Sequence, residues 1–327
     1  MTHRNEEFSE KQPPDVVMIA GPTASGKSGL AAALAQALDG VVINADSMQV
    51  YRELSVLTAR PSPAEVEKVP HRLYGTLSGA ESCSAGAWRD LAMKEVAAAL
   101  DAGKLPILVG GTGLYLQGFE QGLNAVPAIP ENIRRATRAE LAEGGAAALH
   151  GKLAERDPVM AARLSPNDGQ RLARAWEVLA ATGRSLAAWQ AEEPEPAPFH
   201  FIKLCLLPPR EALYADCDAR LAAMLDQGAL AEVESLMALD LDPGLPVMKA
   251  LGVPELAAHL AGAESLESAL ARAQQATRRY AKRQMTWLRH QFLSNDTKIM
   301  VIEAQYSESL LPEILAKIRQ ILLTKPC

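Results

Sequence analysis

The sequence predicts an α/β protein that is built on a parallel sheet and carries a helical insertion. Short apolar runs rich in β-branched residues alternate with Ala- and Leu-rich helical patterns, which is typical of a parallel sheet with helices on both faces. A second observation is a long stretch with helical periodicity alone, over residues 129–189. The alternating strands are predicted at 16–20, 41–43 and 105–109, and the helices at 29–38 and 88–100.

The chain changes character after Gly122, where strand patterns stop. The acidic, proline-rich stretch 192–198 predicts a stiff, extended linker back to the sheet. Helix breaks are predicted at 144–145, 157–158 and 166–169, and after the linker we predict strands at 200–207 and 298–302, helices up to about 293 and a helix at 310–323. The predicted domains are a flexible N-terminus (1–14), a P-loop core (15–122 and 200–305), a helical insertion domain (123–199) and a C-terminal helix (306–327).

Length and composition limit the class of protein. The 327 residues are 48% hydrophobic and 22% charged, which excludes a disordered chain and favours about two domains. The net charge of -6 by itself favours an acidic cytosolic protein over a nucleic-acid binder. The four cysteines, the last of them Cys327, are too far apart for a zinc site or a disulfide framework. Since no run reaches about 18 apolar residues, we predict no membrane span and a cytoplasmic protein.

A glycine-rich motif stands between the first predicted strand and helix. Residues 21–28, GPTASGKS, fit the P-loop pattern G-x-x-x-x-G-K-[ST] at every fixed position. Its backbone N–H groups and the helix N-terminus would bind an anion, Lys27 would add a charge and Ser28 could ligate Mg²⁺. The predicted phosphate-binding residues are Gly21, Pro22, Thr23, Ala24, Ser25, Gly26, Lys27 and Ser28.

Two other strand ends should meet the P-loop. Ligands of an open parallel sheet bind beyond the carboxyl ends of its strands, where Asp46 and the Gly110–Thr112 segment also lie. The 105–109 strand ends in GGTG without an acid, so the usual second acidic motif of nucleotide hydrolases is absent there. Taken alone, Asp46 could cap a helix, ligate Mg²⁺ indirectly or act as a base.

One segment near the C-terminus departs from the acidic average. Residues 270–290 contain six Arg or Lys and no acid, so the rest of the chain is more acidic than the total shows. On a helix, Arg279 and Arg283 fall on one side, as do Arg278 and Lys282. Met285, Leu288 and Phe292 have the opposite periodicity and should pack inward. Such a basic side could bind RNA phosphates, although a solvated charged face is the simpler interpretation of the run by itself.

Five segments in order resemble one family. They are GPTASGKS, NADSMQVY at 44–51, PHRL at 70–73, GGTGLY at 110–115 and AKRQMTWLR at 281–289, and together they resemble the tRNA isopentenyltransferase family, the bacterial tRNA dimethylallyltransferases. The resemblance covers residues 16–289 and implies transfer of a dimethylallyl group from dimethylallyl diphosphate to N6 of adenosine 37, in tRNAs that read codons starting with U. It also implies Mg²⁺ as cofactor, the tRNA anticodon stem-loop as partner and a chain that acts as a monomer.

The resemblance assigns roles to single residues. It implies that Asp46 is the general base, that Thr23 contacts the diphosphate and that Arg220 is a further cation there, although Arg220 alone fits a surface helix arginine. Asp216, Val253 and Pro254 depart from the family pattern, which weakens the contacts implied next to them. The implied tRNA-binding residues are Asp46, Ser47, Met48, Gln49, Thr112, Arg134, Gln170, Arg171, Leu172, Ala173, Arg174, Lys249, Gly252, Arg279, Lys282, Arg283, Gln284, Trp287 and Arg289.

Other functions fit parts of the same pattern. A P-loop small-molecule kinase would bind and turn over ATP or GTP. An RNA-binding module with a regulatory P-loop would show nucleotide-dependent affinity for RNA. A relative that prenylates free AMP would need neither the basic helix nor the insertion, and both therefore favour an RNA acceptor.

Overall fold

The computed structural model describes residues 13–294 and 298–324. Most of the predicted N-terminal segment 1–14 and the last three residues of the predicted C-terminal helix, which include Cys327, lie outside these ranges. The described chain forms two compact units, one that contains the sheet and one that consists of Gln121–Pro196.

A six-stranded, fully parallel sheet organises the first unit, and the predicted α/β class is confirmed. The strand order is β3-β2-β4-β1-β5-β6, so β1 lies between β4 and β5 at the centre. The short edge strand β3 and the helix before it occupy the region 57–84, for which the pattern predicted no element. The strands are β1 (Asp15–Ala20), β2 (Gly40–Asn44), β3 (His71–Arg72), β4 (Leu105–Gly110), β5 (His200–Leu206) and β6 (Met300–Ile302).

Helices cover both faces of this sheet. Alternate residues of β1 point to opposite faces, so that Val16 and Met18 pack with Trp88 while Val17 and Ile19 pack in a second core. The second core includes buried residues of α1 and α13. The helices of this unit are α1 (Lys27–Ala37), α2 (Pro63–Lys68), α3 (Ala85–Asp101), α4 (Gly113–Gln121), and, after the insertion, α9 (Arg210–Asp226), α10 (Ala229–Met237), α11 (Val253–Leu260), α12 (Leu266–Trp287) and α13 (Leu311–Leu323).

The second unit is helical and has its own core. Leu149, Leu153, Leu172 and Val178 are buried there between the long helices. The break predicted at 144–145 is a kink, because the helix continues through a non-helical Gly145. Asp157 and Asp168 cap the helices that follow the other two predicted breaks. The helices are α5 (Glu131–Arg156), α6 (Pro158–Ala161), α7 (Gly169–Thr182) and α8 (Leu186–Gln190).

Candidate active site

The P-loop connects β1 to α1 and contacts α12. The backbone N–H of Thr23 donates a hydrogen bond to Gln284 Oε1 over 2.8 Å, and Gln284 Nε2 donates to the Gly111 carbonyl over 2.9 Å. Ala24 and Gly26 have positive φ angles of 62° and 81°. Alternation of this kind turns successive N–H groups towards one point, which is the geometry of an anion-binding loop. One buried glutamine therefore ties the P-loop to the loop after β4.

The charge of Lys27 is modulated by its surroundings. Its Nζ donates to the Pro22 carbonyl over 3.2 Å. The pKa of Lys27 is lowered to about 8, chiefly by burial, with Asp46 opposing the shift and the neighbouring Arg220 adding to it. Lys27 therefore changes its charge close to neutral pH, and its cation is stabilised when an anion binds.

Asp46 is held by the last residue of β2. The buried Asn44 accepts a hydrogen bond from the Asp46 N–H over 2.8 Å and donates to the carbonyl oxygens of Asp46 and Leu73, both over 3.0 Å. The N–H of Met48 donates to Asp46 Oδ1 over 2.9 Å. Within the described residues, Asp46 Oδ2 accepts no hydrogen bond, so it is available to take a proton.

The loop after β4 lies beside both of these segments. Thr112 Oγ1 accepts a hydrogen bond from the Ser47 N–H over 3.0 Å. A Cβ on Gly113 would stand 2.4 Å from the Trp287 ring, so only glycine permits this packing of α4 on α12. The three loops at the carboxyl ends of β1, β2 and β4 therefore lie together, as the strand pattern predicts.

A cavity of about 250 Å³ opens between the loops after β1 and β2 and the helices α9 and α12. Its polar lining residues include Thr23, Asp46 and Arg220, and its apolar lining residues, here called the apolar wall, include Leu221 and Met224. The sequence indicated the polar residues of the cavity but not its apolar wall, because the residues of that wall come from distant segments of the chain. The full lining of this central cavity is Thr23, Asp46, Ser47, Met48, Leu57, Thr58, Cys217, Arg220, Leu221, Met224, Lys249, Ala250, Leu251, Thr277, Tyr280 and Arg283.

Arg220 comes from the middle of α9 and reaches the P-loop. Its Nη2 donates a hydrogen bond to Thr23 Oγ1. Cys217, one turn earlier, lies against the Thr23 carbonyl, and burial raises the pKa of its thiol. A protonated thiol is a poor nucleophile, so the chemistry of this cavity does not point to a cysteine intermediate.

Two residues of α12 that the sequence did not single out also line the central cavity. Burial and the neighbouring Asp46 raise the pKa of Tyr280, which lines the central cavity. Thr277 lies one turn before Tyr280 in α12 and also lines the cavity. The spacing of Thr277 and Tyr280 on one side of α12 could have indicated these two residues. The basic residues beside them were the stronger feature of the sequence.

The basic side of α12 is narrower than predicted. Arg278 pairs with both carboxylate oxygens of Asp218 at 2.6 Å, so it is not a free cation of the surface. This pairing joins α12 to α9, 60 residues away in the chain, and could not be read from helical spacing. Met285, Leu288 and Phe292 are buried as predicted. The exposed face forms an open groove, here called the basic groove, lined by Arg279, Lys282, Arg283, Thr286, Trp287, His290 and Gln291.

Several residues assigned to tRNA by resemblance have other uses in this structure. Gln284 is 6% exposed and binds protein groups through both ends of its amide. Gln49 Nε2 donates to the carbonyls of Thr58 and Ala59, and Gly252 caps α11 beside Leu57. Lys249 and Met48 line the central cavity, while Arg289 lies with Arg210 and Lys282 around a smaller hollow.

The residues assigned in the insertion divide by exposure. Gln170, Arg171 and Arg174 are exposed near the start of α7, and Arg134 is partly exposed near the start of α5. Leu172 is fully buried in the core of this unit, so its side chain is not a surface contact, and Ala173 is partly buried. Burial lowers the pKa of Arg174, with Glu177 opposing the shift.

Within the described residues, no group of three His, Cys, Asp or Glu side chains could hold a metal ion. Mg²⁺ does not need such a group, because it commonly binds one or two protein oxygens together with substrate phosphates and water. The Ser28 hydroxyl, which is exposed at the start of α1, suits an ion of that kind. No helix in the described part of the chain has the length and apolar character to cross a membrane.

Comparisons with known proteins show the family of this chain. The model of the IPP transferase family matches residues 49–291. The chain is 56% identical to the tRNA dimethylallyltransferase of Paramagnetospirillum magneticum over 95% of this chain and 98% of the relative, and 59% identical to that of Rhodospirillum centenum over 84% and 88%. A solved eukaryotic dimethylallyltransferase acting on tRNA superposes with a TM-score of 0.83 at 28% identity, covering 96% of this chain and 80% of the other. The full-length tRNA isopentenylpyrophosphate transferase of Bacillus halodurans matches with a TM-score of 0.68 at 32% identity, covering 94% and 96%. The chain therefore belongs to the IPP transferase family, as the five motifs predicted.

Proposed function

We propose that this transferase moves a dimethylallyl group from dimethylallyl diphosphate to N6 of adenosine 37 of tRNA, with release of diphosphate. The observation that carries the proposal is the central cavity, in which an anion-binding loop, a carboxylate and an apolar wall meet. A diphosphate, an amine and a five-carbon group are the three chemical features that such a cavity suits.

The P-loop side would hold the diphosphate. As the allylic C–O bond breaks, the leaving diphosphate keeps the bonding electrons and gains negative charge. Lys27, Arg220 and the loop N–H groups would stabilise that charge more in the transition state than in the substrate. Thr23, whose hydroxyl accepts from Arg220, would orient its own proton towards a diphosphate oxygen.

The Asp46 side would receive the adenine amine. The N6 lone pair attacks the allylic carbon while one N–H proton moves to Asp46 Oδ2. The new C–N bond therefore forms without leaving a positive charge on the adenine. Because the amine lone pair is delocalised into the ring, removal of the proton must accompany attack. Asn44 and the Met48 N–H hold the carboxylate in place for this step.

The apolar wall would receive the prenyl group. Leu221, Met224 and Leu251 supply apolar surface to the cavity lining. An apolar wall binds a branched five-carbon group by excluding water, and it also keeps water away from the reactive allylic carbon.

Mg²⁺ is part of the proposal as the ion bound with the diphosphate. Ser28 would supply one protein oxygen, and the substrate would supply the others. When bound, the ion would neutralise part of the charge of the leaving group.

The tRNA would approach along the basic groove. Arg279, Lys282 and Arg283 are exposed on one face, and Arg283 lines both the groove and the central cavity. A base must leave its stack to enter such a cavity, which favours an unpaired anticodon loop as the substrate. The partly exposed Arg134 and the exposed Arg171 and Arg174 would contact the same stem-loop from the insertion. We further propose that the enzyme acts as a monomer in the cytoplasm. Its substrates would be the tRNAs that read codons starting with U.

The direct test is incubation with dimethylallyl diphosphate, Mg²⁺ and unmodified tRNA with the sequence A36-A37-A38, followed by nucleoside analysis. We expect N6-dimethylallyladenosine in this tRNA and none when A37 is replaced by G. Phosphate transfer from ATP without modified adenosine would overturn the proposal, and modification of free AMP in place of tRNA would restrict it to a nucleotide acceptor.

A further inference from the structure

The P-loop is bound by a second segment besides α12. The segment after β6, residues 303–306, contacts it through two hydrogen bonds. Gln305 Nε2 donates to the Ala24 carbonyl over 2.6 Å, and the backbone N–H of Tyr306 donates to the Ser25 carbonyl over 3.2 Å. We call residues 303–306 the C-terminal clamp.

In an anion-binding loop, carbonyls such as those of Ala24 and Ser25 need hydrogen-bond donors from another part of the protein, because the anion has none to offer. When N–H groups of successive residues turn towards an anion, the carbonyls of the same peptides turn away from it. A carbonyl that points into protein without a hydrogen-bond donor destabilises the conformation that places it there. The clamp supplies one donor to each carbonyl, so it stabilises the conformation in which the N–H groups are available.

The clamp is close enough to restrict the loop sterically as well. A Cβ on Gly26 would stand 2.9 Å from Tyr306 Cβ, so the chain can pass here only as glycine, in the left-handed conformation that it adopts with φ of 81°. The Tyr306 ring also packs at 3.5 Å from the position of a Cβ on Gly29, in the first turn of α1.

The rest of the C-terminal region makes the clamp rigid. The N–H of Leu207 donates to the Ile302 carbonyl over 2.8 Å, which extends the pairing of β5 with β6 to the point where the clamp begins. After the clamp, Ile314 and Ile318 of α13 are buried in the core that contains Leu30 and Leu34 of α1. The clamp is therefore fastened at one end to β5, the sheet neighbour of β1, and at the other end to the core that contains α1.

We propose that Gln305 is a positioning residue for the diphosphate site, which acts by holding the Ala24 carbonyl and thereby the N–H groups of the P-loop. The inference rests on the proposed use of the P-loop for a diphosphate. Gln305 itself touches the loop and not the substrate, so its removal should change diphosphate affinity and leave tRNA affinity unchanged.

Two near-isosteric variants separate the hydrogen bond from the packing. Gln305→Met removes the donor, and Gln305→Glu replaces the donor with a carboxylate that repels the Ala24 carbonyl. Glu303→Ala, an exposed residue of the same clamp, is the matched control. We measure the Kd of inorganic diphosphate by calorimetry, the KM of dimethylallyl diphosphate, kcat, the Kd of tRNA and the unfolding temperature.

We expect Kd and KM for the diphosphates to rise about 3- to 10-fold in Gln305→Met and further in Gln305→Glu. Glu303→Ala and the tRNA affinities should stay at the wild-type values. Diphosphate affinities unchanged in both Gln305 variants would overturn the inference. A parallel loss of diphosphate affinity, tRNA affinity and unfolding temperature would overturn it in favour of a general structural role. If the wild-type protein does not bind inorganic diphosphate, the proposed function fails in its first premise, and this result is distinct from both.

Discussion

Asp46 occupies its position because Asn44 binds both sides of its backbone. This arrangement keeps the carboxylate at the cavity without using Oδ2. Asp46→Ala should therefore leave diphosphate and tRNA binding near wild type and slow the chemical step by about 10²-fold or more, the scale for loss of a general base. Single-turnover rates measure that step, and Asp90→Ala, an exposed acid on α3, is the control. Rates close to wild type in Asp46→Ala would show that another group takes the proton.

Lys27 makes diphosphate binding depend on pH. Because its pKa in the folded protein is lowered to about 8, Lys27 is a cation below that pH and becomes neutral above it. The diphosphate binds the cation, so kcat/KM for dimethylallyl diphosphate should fall as pH rises through about 8, approaching about a tenfold loss per pH unit. Lys27→Arg stays charged throughout this range and should not show the inflection, whatever its absolute rate. The same inflection in Lys27→Arg would assign it to a different group.

At the scale of elements, α12 has two separate functions on its two sides. Its buried side carries Gln284 and Met285, and its exposed side carries the basic groove. Arg279→Ala with Arg283→Ala should weaken tRNA binding and reduce the slope of log Kd against log salt by about 2, because two phosphate contacts are lost. Arg272→Ala on the same helix is the control, since Arg272 pairs with Glu264 at 2.6 Å. A salt slope that stays at the wild-type value in the double variant would show that this groove does not bind phosphates.

The same helix shows how far sequence reasoning reaches. Periodicity predicted its inward residues, and the strand-loop-helix pattern predicted the P-loop and the sheet, because these features depend on neighbours in the chain. The pairing of Arg278 with Asp218 and the contact of Gln305 with Ala24 depend on residues 60 and 281 positions apart. Such contacts follow from tertiary packing, so the width of the basic face and the clamp could not be predicted from spacing.

The apolar wall of the central cavity is a similar case. Leu57, Leu221 and Met224 each fit an ordinary core position in their own segments, and only the fold brings them together in the lining of the cavity. Polar residues in a motif indicate a site, whereas the apolar residues that complete the site are of the same types as those of the hydrophobic core. The sequence therefore indicated the reaction better than it indicated the shape of the substrate.

At the scale of the whole molecule, the two units can be separated at a defined place. The Ala197 N–H donates a hydrogen bond to the Glu120 carbonyl over 3.0 Å, so the chain leaves the first unit and returns to it at neighbouring points. The unit Gln121–Pro196 has its own buried core. Every protein contact of the P-loop described above comes from the first unit.

These facts predict the effect of replacing residues 121–196 with a short Gly/Ser linker. The first unit should fold and bind inorganic diphosphate within about threefold of the wild-type Kd, a difference below about 1 kcal/mol, because Gln284, Gln305 and Lys27 are retained. Affinity for the tRNA should fall by at least about tenfold, since the exposed arginines of α5 and α7 are removed. Calorimetry with diphosphate and filter binding with tRNA measure the two effects on the same preparation.

The full-length variant with Arg134→Ala, Arg171→Ala and Arg174→Ala is the matched comparison, because it removes charge without removing the unit. If the shortened protein binds tRNA as tightly as the full chain, the insertion is not part of the RNA surface. If only the triple variant retains full affinity, the insertion contributes through groups other than these three arginines.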